Sequence, residues 1–171
     1  GVPICVEAMQ QYFPAVASDG EDAFVAWRDH RGNTLGFIHG AWIQWKEDGR
    51  WEIREVPVGG EACIDNNICA PNVQMCSTVN NYCVTTHGFG QDRPEVASNG
   101  VDYLVSWHDS RNAWNTRDIY AARVSQADEE ISVETNIAVN ASYDISFSSA
   151  PVAVGDDYMV VWQQKNSGFD F

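Results

Sequence analysis

Apolar residues in this chain come in short runs separated by Gly, Asp and Asn, and the runs have strand character. Pro14-Ala15-Val16-Ala17 is a short strand candidate. Ser18-Asp19-Gly20-Glu21-Asp22 has turn chemistry, and Ala23-Phe24-Val25-Ala26-Trp27 is rich in β-formers. Two strands around an Asp-Gly turn predict a hairpin. Phe37 to Trp45 reads as a third strand, Glu47-Asp48-Gly49-Arg50 as a second hairpin turn, and Trp51-Glu52-Ile53-Arg54-Glu55-Val56 alternates as a half-exposed outer strand does. Four antiparallel strands make one complete unit.

The order then repeats. Pro94 to Arg111, PEVASNGVDYLVSWHDSR, echoes Pro14 to Arg31, PAVASDGEDAFVAWRDHR. Ile119 to Val124 lies over Ile38 to Ile43 as strand three, with small residues at the same places (Gly40-Ala41 over Ala121-Ala122), and Ile131-Ser132-Val133-Glu134 opens strand four. A third copy, Ser149 to Val154 and Tyr158 to Trp162 around a shortened Gly155-Asp156-Asp157 turn, ends where strand three is due. Ile4-Cys5-Val6 resembles Ile137-Ala138-Val139, so the chain is expected to begin inside one unit and end inside another.

A four-stranded unit with one aromatic-ended inner hairpin per copy fits a β-propeller blade, which buries both faces only with neighbours. The predicted fold is all-β, with propeller blades that belong to a larger or oligomeric propeller and a disulfide-rich loop. Its predicted divisions are 1–12, the end of a preceding blade; 13–60, blade one; 61–90, a cysteine-rich insertion; 91–148, blade two; and 149–171, a partial third blade. Val16-Ala17 and Val96-Ala97 are expected near a central channel, and Trp27, Trp107 and Trp162 between blades, as aromatics dominate cores.

These residues resemble the bacterial extracellular repeat P-x-V-A-x-[DN]-G-x-x-Y-L-V-x-W-x-D-x-R followed by D-I-Y-x-x-R-V, found in large secreted and surface proteins. Copy two carries it through Pro94, Val96, Ala97, Asn99, Gly100, Tyr103, Leu104, Val105, Trp107, Asp109, Arg111, Asp118, Ile119, Tyr120, Arg123 and Val124. Copy one departs at Phe37 and Trp42, copy three at Gln164 and Asn166. The resemblance implies a propeller-like fold and brings no catalytic signature with it.

Charge narrows the function classes. With 24 acidic against 10 basic residues and a formal charge of -14, the chain is poorly suited to nucleic acid or anionic membrane, whose affinity rests on Lys and Arg clusters. No apolar run reaches the length of a bilayer span. The opening GVPICVEAMQ lacks an initiating Met and a signal pattern, which suggests a mature or excised segment. Four of the five cysteines, Cys63, Cys69, Cys76 and Cys83, are spaced C-x5-C-x6-C-x6-C. That density points to an oxidising, extracellular or cell-surface location, and the absence of C-x2-4-C knuckles favours disulfides over zinc. Three pairings are open, and Cys5 is left over, either free or paired outside the sequence.

Candidate chemistry is sparse. Asp29 with Arg31 and Asp109 with Arg111 occupy equal places after strand two, where they would line a polar groove or brace a loop by a charge-assisted pair; their recurrence favours the brace. Trp45, Trp51 and Trp114 are candidates for stacking on a pyranose ring. His30, His39, His87 and His108 fit no zinc spacing, and the acidic turns Asp19-Glu21-Asp22 and Asp156-Asp157 lack a Ca²⁺ loop pattern, so no cofactor is assigned and Ca²⁺ has no specific motif. Asn140-Ala141-Ser142 is a glycosylation sequon, meaningful in a host that glycosylates. There is no G-x-S-x-G, no Walker loop and no sialidase box; paired carboxylates of a glycosidase are assembled in space and leave no linear trace. The leading expectation is a non-enzymatic secreted or surface module for structure, adhesion or ligand binding. The alternatives are a carbohydrate-binding or glycoside-processing propeller and a self-assembling ring or filament subunit. Its expected partners are further blades, other copies of the chain, carbohydrate or a surface protein.

Overall fold

A computed structural model describes residues 1–6, 10–31, 36–59, 61–62, 75–76, 82–84, 90–111, 116–127, 130–134, 136–140 and 145–165. Every regular element among them is a β-strand. β1 (Gln11–Ser18), β2 (Ala23–Asp29), β3 (Phe37–Trp45) and β4 (Trp51–Pro57) form sheet one in that order, all neighbours antiparallel. β5 (Glu61–Ala62), β6 (Met75–Cys76) and β7 (Tyr82–Val84) form a small separate sheet with β7 in the middle. β8 (Gln91–Ser98), β9 (Tyr103–Asp109) and β10 (Asp118–Ala127) build sheet two, whose outer strand is divided into β11 (Glu130–Val133) and β12 (Ile137–Asn140), both paired with β10. β13 (Ile145–Val154) and β14 (Asp157–Lys165) are a two-stranded third sheet.

The hairpin turns follow from their sequences. Asp19 Oδ1 accepts the Glu21 and Asp22 amides at 2.9 and 2.7 Å, and Asn99 Oδ1 accepts those of Val101 and Asp102, both at 2.9 Å. Gly20 and Gly100 supply the left-handed residues at φ 108° and 89°.

Each first strand starts earlier than the short apolar run predicts. β1, β8 and β13 all carry a bulge, at Tyr12/Ala15, Asp92/Glu95 and Phe147/Ala150. The bulge lets the strand continue through Pro14 and Pro94, because the proline sits at the interruption and owes the ladder no N–H. Its corner residues, Phe13, Arg93 and Ser148, are the three non-glycine residues with positive φ among those described, at 53°, 49° and 49°.

Sheets one and two pack face to face. Phe24, Ala26, Ile38 and Trp42 from one meet Tyr103, Val105, Trp107, Tyr120, Ala122 and Val124 from the other, with Val58 at the margin. Trp42 stands edge-on to Tyr103 with ring centroids 4.9 Å apart. Gly40 is needed here, since a Cβ would come within 2.6 Å of the Phe24 ring. Trp107 is fully buried between the sheets, and Trp27 is buried on the opposite face of sheet one, where Ile4 and Cys5 pack. Trp162, in the same place on β14, is 38% exposed. Sheet three docks on sheet two through Tyr158, whose hydroxyl donates to Asp102 at 2.7 Å and accepts from the Asn99 amide at 3.2 Å.

Candidate functional site

The residues that the sequence marks as chemical fall into three groups. The first is the pair of Asp/Arg corners. Asp29, 1% exposed, accepts the Trp27 indole N–H at 2.8 Å, the Arg31 amide at 2.7 Å and Arg31 Nε at 2.8 Å. Arg31 continues to Glu55 at 2.6 Å and to Cys5 Sγ at 3.2 Å. Asp109, also 1% exposed, repeats this with the Trp107 indole at 3.0 Å and the Arg111 amide at 2.8 Å. The Arg111 guanidinium lies 4.0 Å over the Tyr120 ring. Burial by itself would raise the Asp29 carboxyl, yet the Arg31 guanidinium and amide and the Trp27 indole hold it below its ordinary range. Burial likewise works against the Arg31 charge, and Asp29 with Glu55 more than offsets it. These corners are closed ion-pair clusters in which both carboxylate oxygens are engaged.

Gln91 is the residue in this cluster that sequence reasoning passed over. Its side-chain oxygen accepts the Ile38 amide at 2.9 Å, and its Nε2 donates to Asp109 Oδ2 at 3.0 Å and to the Gly59 carbonyl. It thereby ties the corner of sheet two to the edge of sheet one. Gln11 stands in the same place on β1, and its buried Nε2 finds no partner among the described residues. A glutamine two residues before the bulge corner in both copies was the available signal.

The second group is aromatic. Trp45 and Trp51 are cross-strand partners at the end of the β3–β4 hairpin, with centroids 4.8 Å apart and planes at 65°. They are 54% and 49% exposed. Lys46 and Glu52 pair beside them at 2.7 Å. The rings stand edge to face as one exposed aromatic ridge, and Trp51 also lines an open cleft of about 640 Å³ together with Lys46, Glu47, Asp48, Arg50 and Glu52. Trp114 lies outside the described residues.

The third group is histidine and cysteine. His39 and His108 are buried, and burial pushes both imidazoles down to about 4. Neither ring nitrogen of His108 finds a hydrogen-bond partner among the described residues. Cys5 is free. Cys76 and Cys83 face each other as Cα partners across β6 and β7, whereas Cys63 and Cys69 lie outside the described residues. Among the described residues no three His, Cys, Asp or Glu are placed to hold a metal ion, and no helix is long and apolar enough to cross a membrane.

None of these groups opens onto a cavity shared by the sheets. One that does was not singled out from sequence: about 450 Å³ where the bulge corners of β1, β8 and β13 meet, lined by Phe13 to Val16, Arg93 to Val96, Ser148 and Ser149. Its floor is tied by Ser106 Oγ and Ser149 Oγ at 3.0 Å. Burial pushes the Glu95 carboxyl up. One aromatic, one guanidinium, one carboxylate and two hydroxyls converge there. Cavities of this size are the ordinary setting of small-ligand sites. No family model, no curated protein and no solved structure matches the chain.

Proposed function

We propose that the chain is a non-catalytic β-propeller segment of a secreted or cell-surface protein that acts in adhesion or ligand binding. The observation that carries this reading is the position of the ionisable residues. Asp29 and Asp109 are used up in equivalent corners of two sheets, as scaffold residues are, and the cavity between the sheets is lined by one carboxylate, Glu95. Hydrolysis of a glycoside ordinarily calls for two. The packing of sheet one on one face of sheet two, against Tyr103, Val105 and Trp107, and of sheet three on the other, where Ser106 Oγ meets Ser149 Oγ, supports a radial arrangement around the bulged strands. The test is electron microscopy of the intact secreted protein together with an aryl-glycoside turnover assay. Rings with the innermost strands at the hub and no turnover are expected. A stacked two-sheet sandwich, or steady release of the aryl group, would remove the reading.

A second reading, self-assembly, has its own support. Met159 and Val161 on β14 are exposed, whereas Phe24 and Ala26, their counterparts on β2, are fully buried under sheet two. At the other end the Gln11 amide has, among the described residues, none of the acceptors that Gln91 has. Joining these two faces head to tail would repeat the packing of sheet one on sheet two, a heterologous contact that propagates or closes into a ring. Light scattering over a range of concentrations tests this, and a constant monomer mass would dispose of it.

A further inference from the structure

The bulge corners carry an observation that scaffold alone does not explain. A residue with φ near +50° in a strand is served best by glycine or asparagine, which reach the left-handed region at least cost. Two of the three corners instead hold Phe13 and Arg93, at φ 53° and 49°. Large side chains stand there against a backbone preference, and both line the same cavity, with the Arg93 guanidinium 5.7 Å from the Phe13 ring centroid. Strain of this kind gathers at ligand sites.

The chemistry of the lining selects a ligand class. Arg93 only donates and ionised Glu95 only accepts. Arg28 rather than Arg93 pairs with Asp92, at 3.5 Å, and Arg93 has no carboxylate partner among the described residues. A cation in the cavity would meet Arg93, and an anion would meet Glu95. Neighbouring hydroxyls on one ring suit both, since each can give and take a hydrogen bond. Phe13 adds a flat apolar surface for ring C–H groups, and Ser148 adds a further hydroxyl at the third corner. We infer that this cavity binds a neutral saccharide through a vicinal diol, with Arg93 donating to one hydroxyl, Glu95 accepting from the next, and the sugar ring lying on Phe13. The inference rests on reading the chain as a non-catalytic binding module and gives that module its substrate class. It also moves the sugar contact from the Trp45/Trp51 ridge to the meeting point of the three sheets.

The test is an NMR titration of the chain with methyl glucoside, methyl galactoside and methyl mannoside, with glucosamine and glucuronate as charged counterparts. A neutral glycoside is expected to shift the amides of Phe13, Arg93, Glu95 and Ser148 and to saturate in the millimolar range, with both charged sugars at least about tenfold weaker. Arg93→Asn and Phe13→Asn keep the left-handed corner, so the fold is preserved while each weakens binding about tenfold or more; Trp51→Ala leaves it unchanged. No shifts at about twenty times a 1 mM dissociation constant, or binding that survives both corner substitutions and is lost in Trp51→Ala, would overturn the inference. Methanol released from a bound glycoside would instead overturn the non-catalytic reading and leave the location of the site standing.

Discussion

Mild acid should destabilise this protein before most of its carboxylates protonate, and the cause is two buried histidines. In an unfolded chain a histidine titrates near 6.5. Burial brings His39 and His108 down to about 4 in the fold, with the Asp29 charge opposing and the Arg31 charge adding to the shift at His39. Because the folded value is depressed, the unfolded chain binds protons that the folded one refuses. Stability is therefore fully present above pH 6.5 and is lost as pH falls toward 4. Each proton contributes a slope of about 1.4 kcal/mol per pH unit, so the more enclosed His39 alone costs about 3 kcal/mol across the window. That is a large share of a typical domain's stability of about 5–15 kcal/mol. The Glu95 carboxyl, raised by burial, works weakly in the other direction, and Asp29, held low, contributes stability that is present throughout this window and is lost only below the ordinary carboxylate range.

The assay is urea unfolding followed by tryptophan fluorescence near pH 7, 5.5 and 4.5, which spans the linkage window. His108→Leu is the informative variant. His108 is 2% exposed with neither ring nitrogen hydrogen-bonded among the described residues, so a leucine removes two unsatisfied polar atoms at little packing cost. It should be as stable as the parent or more so at pH 7, and its stability should fall with pH by one proton fewer. A parent whose stability is flat between pH 7 and 4.5, or a His108→Leu variant with the parent's slope, would refute the argument.

Other perturbations separate the parts of the fold. Asp109→Ala removes the carboxylate that accepts from the Trp107 indole, the Arg111 amide and guanidinium and Gln91 Nε2, and should cost about 3–5 kcal/mol in urea unfolding; a loss under 1 kcal/mol would mean the cluster is not a brace. Gly40→Ala drives a methyl into the Phe24 ring and should destabilise by about 1–3 kcal/mol, measurable as a lower Tm, whereas the already substituted Ala121 at the matching place tolerates Ala121→Gly at a cost of about 1 kcal/mol. Trp45→Ala removes an exposed cross-strand aromatic pair and should cost no more than about 1 kcal/mol. Val161→Lys should leave the Tm within a degree or two of the parent and suppress any concentration-dependent mass, as expected of a charge placed on an exposed strand.

How far the fold was legible differs from strand to strand for physical reasons. β2, β3, β9 and β10 are written plainly, because strands buried on both faces read as continuous apolar runs. The first strands extend beyond their apolar runs. Their bulges place Phe13-Pro14, Arg93-Pro94 and Ser148-Ser149 where pairing is interrupted, and a proline there looks like the end of a strand when only neighbours along the chain are considered. β12 was read as a prelude to the third copy, and it pairs with β10 as the second half of a divided outer strand. The Asp/Arg corners are visible as a recurring motif, while their third member, Gln91, is marked only by the recurrence of a glutamine at Gln11 and Gln91, since nothing local distinguishes a glutamine that will be buried from one that will be solvated. The cavity was the least legible feature. Its lining comes from three strands far apart in sequence, and its signature is a backbone conformation, which composition does not encode.

The glutamine tie has a consequence for how the molecule comes apart. Gln91 belongs to sheet two, yet it accepts from Ile38 in sheet one and donates to Gly59 just past its last strand while completing the ion-pair corner at Asp109. One amide thus makes the local stability of each sheet conditional on its neighbour. The sheets then behave as coupled sites in a row, whose melting is governed by a nearest-neighbour term as much as by the strength of each site. With the tie in place the row unfolds as a unit. With Gln91→Ala the coupling weakens to that of the shared core, and calorimetry should show the transition broaden. In such a molecule a change far from any ligand can set whether a pull at one end opens a single sheet or all of them.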